Sequence, residues 1–77
     1  MFKDGAIVWF VDNELKIRYG KIINVSNNEM MYNIEVHAVG PKNIIISEIF
    51  ENIEACMIFR NEVDAIKLQK QLLQKFS

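Results

Sequence analysis

The chain has 77 residues, of which 51% are hydrophobic and 25% are charged, and its formal net charge is −1. This composition is typical of one small globular domain and excludes a disordered chain. It also lacks the strong positive excess with which most dedicated nucleic-acid-binding domains neutralise phosphates. The apolar run at 5–11 is far shorter than the ~18 residues of a membrane-crossing helix.

The amino terminus and the cysteine content bear on location. The sequence MFKDG lacks the long apolar region of a secretory signal. The single cysteine, Cys56, has no second cysteine for an internal disulfide. We therefore expect a cytoplasmic protein with no membrane partner. Because Cys56 lies between apolar neighbours, we expect its thiol to be buried.

The chain before residue 60 is predicted to form β-strands, because it holds most of the Ile and Val residues, whose β-branched side chains favour strands. Most of the Leu residues lie after residue 60. Strands are expected at 6–11, 16–25 and 30–39, with turns at 12–15 and 26–29. Gly20 predicts a bulge or bend in the second strand. The third strand alternates, which places four apolar side chains on its inner face: Tyr32, Ile34, Val36 and Ala38.

The second part of the chain is predicted to contain two more strands and a helix. A turn at 40–43 leads to a short strand at 44–46, a helical turn at 47–50 capped by Ser47, and a last strand at 55–59. A helix is expected over 61–76, with Asn61 as its cap and acidic residues in its first turn. Its broad apolar face comprises Ala65, Ile66, Leu68, Leu72, Leu73 and Phe76.

The pattern DGAIVWF…KIRYGKIINV…YNIEV…IIISEIF resembles that of the Src-homology-3-like small β-barrels, in particular the Tudor and KOW types. The resemblance covers 4–59 and implies a five-stranded barrel whose first and last strands are neighbours. The predicted fold is therefore mainly β with one helix, a small barrel followed by a C-terminal amphipathic helix packed on or beside it. The aromatic cage of methyl-reading Tudor domains cannot be assigned to residues of this chain.

The first strand is apolar on both faces, and this raises the question of what covers the second face. Ile7 and Trp9 lie on that face, and the last strand, which is also apolar on both faces, would add Ile58. We expect the C-terminal helix to pack over these three side chains. The alternative is that the strip binds a protein partner or a second copy of the chain.

A single basic–aromatic cluster occurs in the second strand. Lys16 and Arg18 share one face, Tyr19 lies beside them, and a bulge at Gly20 would bring Lys21 to the same place. Cations beside an aromatic ring hold single-stranded nucleic acid through phosphate contacts and base stacking. The alternative interpretation is an ordinary solvated strand face.

The sequence contains no phosphate-binding glycine loop, nucleophile elbow or paired carboxylates, and one histidine with one cysteine is too few for a metal site. The prediction is a non-enzymatic protein-interaction or adaptor module without a cofactor, a small accessory protein of a bacterium or phage. A nucleic-acid-binding barrel of KOW or Sm-like type and a structural homo-oligomer are the alternatives. The candidate partner-binding residues are Ile7, Trp9, Lys16, Arg18, Tyr19 and Lys21.

Overall fold

A computed structural model describes residues 2–25 and 30–75. Its strands are β1 (Ile7–Val11), β2 (Ile17–Val25), β3 (Met31–Val39), β4 (Ile45–Glu54) and β5 (Ile58–Phe59). Short 3₁₀ helices occupy Pro41–Asn43 and Ala55–Met57, and one α-helix, α1, spans Glu62–Lys75. The turn predicted at 26–29 and the predicted helical residue Phe76 lie outside the described residues.

The five strands form one antiparallel sheet in the order β4-β3-β2-β1-β5. The mainly β architecture with one C-terminal helix is confirmed, and β1 lies beside the last strand as expected. The prediction of a closed barrel is wrong, because the sheet is open. β5 has only two residues and pairs with β1, so the ladder does not continue from β5 to β4.

The region after the Pro41 turn differs most from the prediction. The prediction of a short strand followed by a helical turn at 47–50 is wrong, since β4 is one continuous strand of ten residues. Ser47 lies in the middle of β4, opposite His37, and caps no helix. The helical turn before the last strand exists, but it lies at Ala55–Met57 and replaces the first three residues of the strand predicted at 55–59.

The core lies on one face of the sheet, which we call the inner face. Every second residue of β1 and, up to Val36, of β3 points to this face and is part of the core. Ile53 of β4 and Ile58 of β5 complete the core. The prediction for β3 is confirmed for Tyr32, Ile34 and Val36, whereas Ala38 is exposed. The core cluster comprises Val8, Phe10, Ile22, Tyr32, Ile34, Val36, Ile53 and Ile58.

The prediction that Ile58 lies on the second apolar face of the sheet, with Ile7 and Trp9, is wrong. Ile58 pairs with Phe10 and joins the core, whereas Phe59 pairs with Trp9 on the opposite face. A strand that is apolar at every position gives no alternation from which its orientation can be predicted.

Gly20 is in register with Val8, and the predicted bulge there is wrong. The irregularity of β2 lies between Ile22 and Asn24. Gly20 instead permits close packing of β2 against β3, because a Cβ at this position would lie 2.5 Å from the backbone oxygen of Glu35. As a result Lys21 stays in the regular strand alternation.

Candidate functional site on the outer face of the sheet

The second apolar face of β1 forms part of what we call the outer face, the side of the sheet opposite the core. Across this face Trp9 stands between Phe59 of β5 and Tyr19 of β2. The Trp9 and Tyr19 rings lie 4.5 Å apart between centroids, within the range of a favourable aromatic pair. One row further along, Ile7 is in register with Lys21.

Helix α1 packs on this outer face. It contacts β1, β5 and β2, and no residue of α1 is among the core cluster or the partly buried apolar residues packed against it. Val11 and Ala65 are buried outside that cluster, one on β1 and one on α1. The side-chain amide of Gln69 donates a hydrogen bond of 2.9 Å to the backbone oxygen of Leu15, which ties the helix to the β1–β2 turn.

The start of α1 agrees with the prediction. The side-chain oxygen of Asn61 accepts a hydrogen bond of 3.1 Å from the backbone N–H of Asp64, which is an N-cap. Ala65 is fully buried, three of the predicted apolar residues are half-buried, and Leu73 is exposed. The half-buried residues are Ile66, Leu68 and Leu72.

The helix covers only part of the apolar strip. Trp9 is half-buried, but Ile7 keeps 50% of its surface exposed and Tyr19 keeps 52%. The prediction that the helix covers Ile7 is therefore wrong. Ile7, Trp9, Tyr19 and Lys21 together form an apolar patch with one cation, which we call the Trp9 patch.

The predicted basic–aromatic cluster is divided between the two faces of β2. Tyr19 and Lys21 belong to the Trp9 patch, whereas Arg18 is in register with Phe10 of the core. The Arg18 guanidinium lies over the Phe50 ring, 5.5 Å from its centroid. The bulge that was to bring Lys21 beside Arg18 is absent at Gly20, so the three cations do not share a face.

Arg18 is engaged in a structural ion pair that the sequence did not reveal. Its Nε donates a hydrogen bond of 2.8 Å to Oδ2 of Asp12, whose side chain is buried. The other carboxylate oxygen of Asp12 accepts the backbone N–H groups of Glu14 and Lys16, each at 2.9 Å. Burial by itself raises the pKa of Asp12, but these hydrogen bonds outweigh it and hold the pKa below its ordinary value.

Lys16 also has an acidic neighbour. Its Nζ lies 3.6 Å from a carboxylate oxygen of Glu14, and both side chains are exposed. An exposed pair of this kind contributes little to stability. Lys16 lies directly before β2, in the β1–β2 turn, and is not part of the Trp9 patch.

Beyond Lys21 the outer face continues onto polar residues of β3. Lys21 is in register with Glu35, and Oε1 of Glu35 lies 3.0 Å from Nε2 of His37. The hydrogen bonds from His37 and from the Ser47 side chain lower the pKa of Glu35. This carboxylate is therefore ionised at neutral pH and borders the Trp9 patch with negative charge.

A second exposed apolar region, which sequence reasoning missed, lies at the far end of the β3–β4 hairpin. Val39 is 74% exposed and Ile45 is 70% exposed, and three further isoleucines, Ile44, Ile46 and Ile49, are also exposed. The apolar run at 44–46 was interpreted only as a short strand, with no exposed apolar surface assigned to it. Its position next to a tight turn, at the end of a hairpin, was the available signal that it could project beyond the core.

The single cysteine of the chain does not lie in the core. Cys56 is exposed and not buried as expected, because it lies in the 3₁₀ helix before β5. Partial burial and the neighbouring Glu54 carboxylate raise the pKa of its thiol, which disfavours the nucleophilic thiolate. No group of three His, Cys, Asp or Glu side chains in residues 2–25 and 30–75 is placed to hold a metal ion.

No helix in the described ranges has the length and hydropathy that a membrane crossing requires. Comparisons with protein-family models, with curated proteins and with solved structures gave no match.

Proposed function

We propose that this protein is a non-enzymatic protein-interaction module, a small cytoplasmic accessory protein of a bacterium or phage with a Src-homology-3-like strand arrangement. The observation that carries the proposal is the incompletely covered Trp9 patch. Two exposed side chains, Ile7 and Tyr19, stand beside a half-buried tryptophan and an exposed lysine. Aromatic anchors in a half-open apolar setting are the residues that supply most binding energy at protein interfaces.

The chemistry of the patch suggests the partner. An apolar side chain would pack against Ile7 and the paired rings of Trp9 and Tyr19, which lie 4.5 Å apart. A carboxylate next to it would lie beside Lys21, the one cation of the patch. Glu35, which borders the patch, would repel a carboxylate placed further along β3. The partner is therefore a protein segment in which an apolar and an acidic residue lie close together in sequence.

This proposal retains four of the six residues predicted from the sequence. Lys16 and Arg18 are left out, because Arg18 is held by Asp12 on the inner face and Lys16 lies with Glu14 at the turn. The proposal also agrees with the net charge of −1, which gives little general attraction for nucleic acid.

The test is selection of peptides from a random display library on the immobilised protein, followed by NMR titration of the enriched peptides. We expect apolar–acidic sequences whose shifts map to Ile7, Tyr19 and Lys21. Tyr19→Ala should weaken binding about tenfold or more, as removal of an interface anchor does. Val63→Ala is the matched control, because Val63 is an exposed apolar residue on α1 that lies outside the patch; it should leave the affinity unchanged.

Two results would contradict the proposal. Enriched peptides whose shifts map elsewhere, with affinities that Tyr19→Ala does not change, would move the binding surface away from the Trp9 patch. Saturable binding of a single-stranded oligonucleotide that Tyr19→Ala abolishes would favour the nucleic-acid alternative.

A further inference from the structure

β4 is an edge strand whose first half carries little protection against pairing. Natural sheet edges are usually blunted by proline, lysine, a bulge or strong charge. From Ile45 to Phe50 the strand contains none of the first three and has a single charged residue, Glu48. The irregularity of β4 lies further on, where the register with β3 shifts between Tyr32 and Ile34 and Asn52 has a φ of 57°.

The backbone of this half-strand has a defined orientation. The Gly40 N–H donates to the Ile44 oxygen at 2.6 Å, so Ile44 directs its hydrogen-bonding groups toward β3. Such residues alternate along an antiparallel strand, so Ile46 and Glu48 also face β3. The N–H and C=O groups of the residues between them, Ile45, Ser47 and Ile49, therefore point to the outer edge. Among the described residues no strand lies on that edge.

The side chains of the same residues form a short apolar row with a serine at its centre. Ile45, Ser47 and Ile49 share the outer face, and the two isoleucines are 70% and 53% exposed. In a two-fold symmetric pairing each copy presents the same surface to the other, and about an axis at Ser47 the exposed Ile45 of one copy meets the exposed Ile49 of the other.

We propose that a second copy of this chain pairs antiparallel along β4, with the two-fold axis at Ser47. Ile45 then lies opposite Ile49 of the partner subunit, and Ser47 lies opposite Ser47 of the partner subunit. The outward N–H and C=O groups of these residues form the shared hydrogen-bond ladder. The two sheets join into one, the exposed isoleucines cover each other, and the symmetry closes the assembly at two subunits.

The charges support this register. Glu48 lies opposite Ile46 of the partner subunit and so avoids a direct carboxylate pair. Because the two strands run antiparallel, the acidic end of β4, at Glu51, lies at the same end of the interface as the turn that contains Lys42 of the partner subunit. Opposite charges therefore meet at both ends of the interface. The Trp9 patch lies on β1 and β2 and takes no part in this pairing, so dimerisation and the proposed partner binding can fail separately.

Sedimentation equilibrium over a wide concentration range tests the dimer. We expect a concentration-dependent species at twice the monomer mass of 9.0 kDa. The double substitution Ile45→Lys and Ile49→Lys should leave a folded monomer, because charge on the outer face of an edge strand opposes pairing. Val63→Lys, an equivalent change at an exposed valine on α1, should still dimerise. A monomer at every concentration, a larger ring or filament, or an unaffected double variant would overturn the proposal.

Cysteine cross-linking tests the register independently of stability. In a Cys56→Ser background, Ser47→Cys should oxidise to a covalent dimer, because hydrogen-bonded antiparallel pairs place their Cα atoms about 5.5 Å apart, within disulfide range. Glu48→Cys is the matched control and should cross-link poorly, since its own counterpart lies diagonally at about 7–8 Å. Efficient cross-linking of Glu48→Cys but not Ser47→Cys would refute the register.

Discussion

At the scale of single residues, Asp12 is the side chain on which the β1–β2 turn depends. Its carboxylate accepts three hydrogen bonds, two from the backbone of the turn and one from Arg18. A buried carboxylate is costly unless it is paired in this way. Asp12 therefore fixes both the path of the turn and the position of Arg18 over Phe50.

Asp12→Asn should lower the free energy of unfolding by about 1–2 kcal/mol at neutral pH, because Arg18 loses its charged partner while the backbone bonds to Oδ1 persist. The pKa of Asp12 is lowered in the folded state, so its contribution is fully present above the unfolded pKa of about 3.9. It is lost as the pH falls through the folded pKa. Urea unfolding of the wild type and of the Asp12→Asn variant, from neutral to acidic pH, measures how the free energy of unfolding of each protein changes with pH.

The contrary outcome would be equal acid sensitivity in the wild type and the Asp12→Asn variant. That result would mean that other carboxylates, and not the Asp12–Arg18 pair, account for the acid dependence of stability.

Residue-level predictions from the sequence succeeded where a pattern had one meaning. The alternation of β3 identified Tyr32, Ile34 and Val36 as core residues, and Asn61 followed by acidic residues identified the helix cap. They failed for Ile58, because a doubly apolar strand has no alternation to interpret. They also missed the Asp12–Arg18 pair, since residues six apart across a turn give no sequence signal of contact.

At the scale of elements, α1 divides the outer face into a covered part and an open part. Its contacts with β1, β5 and β2 place it beside Trp9, and Gln69 holds it to Leu15. The amphipathic pattern predicted that the helix must bury one face, but it does not specify where that face crosses the sheet, and Ile7 and Tyr19 stay exposed. The open remainder is the Trp9 patch.

Ala65→Lys should displace α1 from the sheet, because Ala65 is fully buried at the helix–sheet contact and a lysine does not fit there. We expect a red shift of Trp9 emission and faster acrylamide quenching, with a loss of stability of about 2–4 kcal/mol. Val63→Lys serves as the control, since Val63 is 60% exposed on the same helix. Unchanged quenching in a folded Ala65→Lys protein would show that the helix does not shield Trp9.

The β4 strand shows why element prediction failed after the Pro41 turn. Ser47 followed by Glu48 imitates the start of a helix, and Ile44–Ile46 alone is long enough for a short strand. Eight register pairs with β3 outweigh this local signal and keep β4 extended to Glu54. Strand pairing of this kind is a tertiary effect, and it overrides a weak local preference.

At the scale of the whole molecule, both proposed interaction surfaces depend on the sheet being open. The resemblance to small barrels correctly implied five strands with β1 beside β5, yet β5 is too short to close the sheet against β4. Closure depends on strand length and bending, which a pattern of apolar residues does not specify. The open edge of β4 and the open part of the outer face are the two surfaces that an interaction module would use.

The most direct test is amide hydrogen exchange resolved to single residues in β4, with the chain diluted until it sediments as a monomer. The account predicts alternation: Ile46, Glu48 and Phe50 are protected by hydrogen bonds to β3, whereas Ser47 and Ile49 exchange rapidly at the free edge. Equal protection of Ser47, Ile49 and their neighbours in the monomer would contradict it, because another strand would then cover β4 and the sheet would be closed.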